Sequence, residues 1–92
     1  IRAISKATGI ITTLAGNGLY GTTSYSGQGT ANSMFNPFSV IASSNYYYIT
    51  DTENCRVARV SKSTGAMTNY LGDGTCGYTG DSYSGTSVRV ST

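Results

Sequence analysis

Two stretches of the chain, SKATGIITTLAGNG (5–18) and SKSTGAMTNYLGDG (61–74), are versions of one another. Ser5, Lys6, Thr8, Gly9, Thr12, Gly16 and Gly18 recur 56 positions later as Ser61, Lys62, Thr64, Gly65, Thr68, Gly72 and Gly74. The frame holds to Gly21 and Gly77, then slips by a few residues, setting YSGQG (25–29) against YTGDS (78–82). A fixed period of this order means one supersecondary unit used more than once, each copy burying its apolar face against the next. In 92 residues a 56-residue period leaves room for one complete unit and part of another.

The unit reads as β structure. Strand-like runs rich in Ile, Val, Thr and Tyr cover 1–5, 10–15, 38–42, 46–50, 56–61 and 66–71, each bounded by Gly, Asn or Ser,. No 3.6-residue period persists beyond a few positions, so no helix is expected. Long polar loops fill Gly16 to about Pro37 and Gly72 to about Gly85, and SVRVS (87–91) reads as a last short strand. Gly9 and Gly65 each close a hairpin that calls for a positive φ. The strands at 1–5 and 10–15 match the third and fourth of the set 38–42, 46–50, 56–61, 66–71. The chain therefore holds one four-stranded antiparallel meander preceded by the second half of another, which is the sequence form of a β-propeller blade.

Composition limits the function. Charged residues make up 11% of the chain, against roughly 25% in an ordinary domain, while eight Tyr and many Ser, Thr and Gly take their place. That balance suits an extracellular or cell-surface protein. The net charge is +2, and Arg2, Lys6, Arg56, Arg59, Lys62 and Arg89 are spread along the chain, without the clustering that nucleic acid demands. No apolar run reaches the length of a membrane span. A start at IRAIS, without Met, is expected of a processed chain or a piece of a longer one.

There is no His, which removes the commonest general base and metal ligand. The acids are Asp51, Glu53, Asp73 and Asp81. Asp51 and Glu53 fall in a turn between strands, where carboxylates bond backbone N–H groups; a glycosidase pair is the sharper reading and is disfavoured. Asp73 and Asp81 in GDGTCGYTGDS follow no calcium-loop spacing. The chain is therefore read as having no catalytic residues, no cofactor and no metal. Asp51, Asn54 and Arg56 are read as a structural turn network.

Cys55 precedes the third strand of the complete unit and Cys76 follows its fourth, so both fall at one end of a hairpin. A disulfide is favoured over two partly buried thiols, and with it an oxidising compartment. Tyr46 and Tyr48 should face one way and Tyr47 the other, packing between blades. Tyr20, Tyr25, Tyr78 and Tyr83 lie in the long loops and are the candidates for contact with a glycan or a protein partner.

FNPFSVIASSNYYYITDTENCRVARVSKSTGAMTNYLGDG (35–74) resembles an NHL repeat, the blade of NHL-type β-propellers. The resemblance is carried by Pro37, Val40, Tyr46 to Ile49, Asp51, Asn54, Arg56, Val57 and Val60. GNGLYGTTSYSGQGTANSMFNP (16–37) is similar to the linker of secreted members. The resemblance implies an all-β fold with residues 1–36 forming half a blade and its linker, 37–72 a complete blade, and 73–92 a linker toward a next blade. It implies neighbouring repeats, or copies of this chain, as partners, in a ring or a fibre. It also brings two activities to weigh. Some members are lyases with His-ligated zinc, ligands this chain lacks. Others bind RNA through a basic face, which the spread of charge here does not supply. A non-enzymatic structural or interaction module is favoured over a fragment of a propeller lyase or hydrolase.

Overall fold

The computed structural model describes residues 1–21, 24–79 and 84–90. It is all-β. Strands β1 (Arg2–Ile4) and β2 (Ile11–Thr13) form a two-stranded antiparallel sheet. Strands β3 (Pro37–Ala42), β4 (Tyr46–Asp51), β5 (Arg56–Ser61) and β6 (Met67–Leu71) form a four-stranded antiparallel meander in sequence order. Short 3-10 turns lie at Gly29–Ala31, Thr52–Asn54 and Gly85–Ser87. The expected strand SVRVS is not formed within the described residues. Gly85–Ser87 winds into a 3-10 turn, and Val90 makes only an isolated parallel bridge with Cys76.

A set of hydrogen bonds recurs at the 56-residue spacing. Gly9 N–H donates to Ser5 O at 2.7 Å, and Gly65 N–H to Ser61 O at 2.8 Å. Thr8 N–H meets Ser5 Oγ at 3.3 Å, as Thr64 N–H meets Ser61 Oγ. Leu19 N–H donates to Asn17 Oδ1, as Thr75 N–H does to Asp73 Oδ1. Gly16 N–H reaches Gly29 O at 3.0 Å, and Gly72 N–H reaches Gly85 O at 2.8 Å. The last pair shows that the frame re-enters after its slip: Gly29-Thr30-Ala31 and Gly85-Thr86-Ser87 are equivalent, and both are 3-10 turns.

Cross-strand pairing sorts the meander into two faces, because residues opposite one another share a side. Tyr47, Ile49, Ala58, Val60 and Met67 share the first face through the pairs Tyr47↔Val60, Ile49↔Ala58 and Val60↔Met67. Tyr48, Thr50, Val57 and Arg59 share the second. Between Ala58↔Asn69 and Val57↔Leu71 the register shifts, so Tyr70 is an extra residue. That bulge turns both Tyr70 and Leu71 to the second face.

The core lies between the two sheets. The buried side chains of the first face meet Ala15 and Met34, with Ile1, Tyr25 and Tyr47 packed around them. Burying each large apolar side chain contributes roughly 1.5–3 kcal/mol. The 16–36 segment is more than a tether. Gly29 N–H bonds Gly65 O and Met67 N–H bonds Gly27 O, both at 2.8 Å, extending the sheet by one short rung beside β6. Gln28 Nε2 donates to Thr64 O at 2.9 Å across the same seam.

Candidate functional site

Asp51 is the best-connected buried polar group. It ends β4, where the chain leaves the sheet for the Thr52–Asn54 turn, and it is fully buried. Its Oδ1 accepts from the Phe35 N–H at 2.7 Å. Its Oδ2 accepts from Asn54 Nδ2 at 2.7 Å and from the Tyr25 hydroxyl. Asn54 Nδ2 also donates to Gly21 O at 2.8 Å, and Glu53 N–H donates to Phe35 O at 3.1 Å. The Arg56 guanidinium lies 5.3 Å from the centre of the Tyr25 ring. Burying a carboxylate is costly unless its oxygens are hydrogen-bonded. Two of the three donors, the Phe35 N–H and the Tyr25 hydroxyl, come from the long segment that follows β2, so the carboxylate fastens that segment to the Thr52–Asn54 turn.

Tyr25 departs from its expected place among the surface tyrosines. It is half-buried, with its hydroxyl directed at Asp51. Burial raises its pKa above the ordinary phenol value, and the adjacent Asp51 carboxylate raises it further, both by hydrogen bond and by charge,. Periodicity gave no signal for this, because Tyr25 sits in an irregular loop. Tyr20 and Tyr78 are at the surface, 80% and 76% exposed. Tyr20 rests on Phe35 with ring centres 5.3 Å apart. Tyr83 and Asp81 lie outside the described residues.

Cys55 and Cys76 form a disulfide with Cα atoms 5.2 Å apart. Cys55 takes a left-handed conformation as the chain exits the 3-10 turn and is fully buried, whereas Cys76 is at the surface. The bridge does for the second loop what the Asp51 network does for the first. The segment after β2 is held by the turn that follows β4. Residues 72–79 and 84–90 are held to the four-stranded sheet, by the Cys76 bridge and by the Gly72 N–H on Gly85 O.

The second face of the meander is aromatic and cationic at one end and apolar at the other. The Arg59 guanidinium lies 4.3 Å from the Tyr46 ring centre and 5.4 Å from that of Tyr70. Tyr48 packs edge-on against Tyr70 at 4.9 Å and beside Tyr46 at 6.1 Å. Such stacks stiffen the ladder by about 0.5–1 kcal/mol per exposed cation–π pair. Toward the other end an open groove of about 490 Å³ is lined by Phe38, Thr50, Thr52, Arg56, Val57, Leu71 and Val90. Phe38 is 88% exposed there. Sequence reasoning did not single out this groove, because Leu71 joins it only through the bulge and Val90 only through the Cys76 bridge.

Among the described residues no group of three or more His, Cys, Asp or Glu side chains could hold a metal ion, and no helix is long and apolar enough to cross a membrane. No protein-family model matches the chain, and no curated protein matches it. The chemistry available at the Asp51 cluster is fastening: its carboxylate is sealed from solvent and its oxygens are taken up by three donors.

Proposed function

We propose that this chain is a non-enzymatic, extracellular structural or interaction module made of NHL-like propeller blades, which completes its sheets with neighbouring repeats or with copies of itself, in a ring or a fibre. One observation carries this reading. A complete four-stranded unit packs on half of an equivalent unit, through a core to which both contribute. Large apolar residues stay exposed beyond it on both units, among them Ile4, Ile10 and Ile11 on the half and Phe38 and Ile41 on the whole. A unit of this kind gains its stability from its neighbours. The disulfide supports an oxidising compartment, and Tyr20 and Tyr78 offer aromatic surface to a carbohydrate or to another extracellular protein.

The experiment is to lengthen the chain by one period, appending a second run of residues 37–92. Each added interface contributes a nearest-neighbour increment in such arrays. The longer chain is expected to unfold at higher denaturant, with a larger slope because more surface is buried. An unchanged midpoint, with the appended segment unfolding separately, contradicts the reading.

A further inference from the structure

The internal repeat identifies a surface and its complement on the same molecule. The half-unit meets the first face of the meander through Ile1, Ala15 and Met34. Fifty-six residues on, these are Val57, Leu71 and Val90. Those three side chains line the open groove on the second face. The groove is therefore the same seat, one period later, and in its first occurrence that seat carries a blade.

The complement is found by the opposite step. Val60 and Met67, the seated residues of the blade, are 2% and 1% exposed. Fifty-six residues earlier stand Ile4 and Ile11, which are 67% and 50% exposed. The positions are equivalent in sequence and in strand register, since Ile4↔Ile11 is the pair in the small sheet that Val60↔Met67 is in the large one. What differs is that the blade has a unit in front of it. Two polar residues flank this pair on the same face: Arg2, at the place of Ala58, and its cross-strand partner Thr13, at the place of Asn69.

We infer that a second copy of this chain seats its Ile4 and Ile11 face in the groove formed by Val57, Leu71 and Val90, so that copies associate head to tail. The contact is heterologous: the two surfaces differ, each molecule carries both, and nothing in the contact itself stops at two. The occupant is a second copy because the chain carries both halves of the interface, each apolar, and because the same pairing is already made once within it. This rests on the reading of the chain as a blade module and adds the surfaces and the polarity.

The test uses two single substitutions on opposite surfaces, both in the oxidised chain. Ile11→Asp spoils the inserting face and Val90→Asp the groove, and circular dichroism checks that each variant folds. Sedimentation velocity of the parent is expected to show a mass that climbs with concentration. Each variant alone is expected to lose self-association by about tenfold or more, the scale of one buried large side chain. Mixed together, the two are expected to form dimers and nothing larger, through the one intact groove and the one intact inserting face. Ile4→Asp replaces Ile11→Asp should the latter fail to fold. Variants that associate as the parent does, or a mixture that stays monomeric, overturn the proposal. A parent that is monomeric while the chain lengthened by one repeat is stabilised overturns head-to-tail association of copies and leaves the blade reading standing. A monomeric parent with no stabilisation on lengthening overturns both.

Discussion

Replacing Asp51 by Ala should be the most damaging single change at the polar cluster, and its size can be worked from the bonds. Three donors lose their acceptor: the Phe35 N–H, Asn54 Nδ2 and the Tyr25 hydroxyl. A buried donor left without a partner costs about 1–3 kcal/mol. Asn54 is nearly fully buried and bears the whole cost, while Phe35 and Tyr25 are half-buried and recover part of it from water. Together these give roughly 3–5 kcal/mol, a large share of the ~5–15 kcal/mol a small domain has. Asp51→Asn keeps the shape and one acceptor oxygen, which can serve the Phe35 N–H. Its new NH₂ then faces Asn54 Nδ2, and turning the Asn54 amide over would forfeit its bond to Gly21 O. That variant should lose about 1–2 kcal/mol. Tyr25→Phe leaves the carboxylate its other two donors and should lose about the same. Urea unfolding at one fixed protein concentration measures all three, since association adds to apparent stability. A double-mutant cycle between Asp51→Ala and Tyr25→Phe should give a coupling of at least about 0.5 kcal/mol. An Asp51→Ala protein within about 0.5 kcal/mol of the parent, the range of neutral surface changes, would mean that the Asp51 bonds do not hold the linker to the sheet.

Three further outcomes follow from the same structure. Removing the disulfide by Cys55→Ala with Cys76→Ala, which opens a 21-residue separation, should cost about 3 kcal/mol in urea unfolding and make the 72–90 segment the first site of proteolysis; equal midpoints for parent and variant would contradict it. The repeat-related substitutions Gly9→Ala and Gly65→Ala should differ, although φ is +74° and +75°. A Cβ at position 9 meets nothing within 4 Å, whereas one at position 65 strikes Gln28 Oε1 and endangers the Gln28–Thr64 bond. Gly65→Ala should therefore lose about 1 kcal/mol more, and Gln28→Ala in the same chain should erase the difference. For pH, Tyr25 binds its proton more tightly folded than unfolded. Its contribution is fully present below about pH 10, the unfolded phenol value, and falls as pH rises above it, because the unfolded chain then holds fewer protons. Ultraviolet titration should find one phenol that ionises only on unfolding, and Tyr25→Phe should flatten the alkaline loss of stability.

Strand placement was legible because each strand carries its own signal. The runs 46–50 and 56–61 became Tyr46–Asp51 and Arg56–Ser61, bounded by turn residues at each end. The disulfide was legible from topology, since a hairpin places residues before its first strand and after its second at the same end. The loops were less so. Met34 and Asn32 are buried there, but they follow neither a period of two nor of 3.6, so nothing local separates them from exposed neighbours. Tyr25 looked like its surface partner Tyr78 because both stand in similar motifs. The difference lies in Asp51, which the four-stranded sheet brings to the Tyr25 hydroxyl. The expected strand at 87–91 does not form within the described residues: Val88 and Val90 alternate like a strand, but Gly85–Ser87 closes a 3-10 turn, and the Val88 and Val90 carbonyls accept from the irregular backbone of Asp73 and Gly77.

If this chain is a repeat unit and a fraction that needs a neighbour, sedimentation of the purified, oxidised 92-residue chain across the micromolar range will show it. The predicted result is a particle heavier than the 9.6 kDa monomer, whose mass and melting temperature both rise with concentration. A folded monomer that melts sharply, at a temperature independent of concentration, would contradict it.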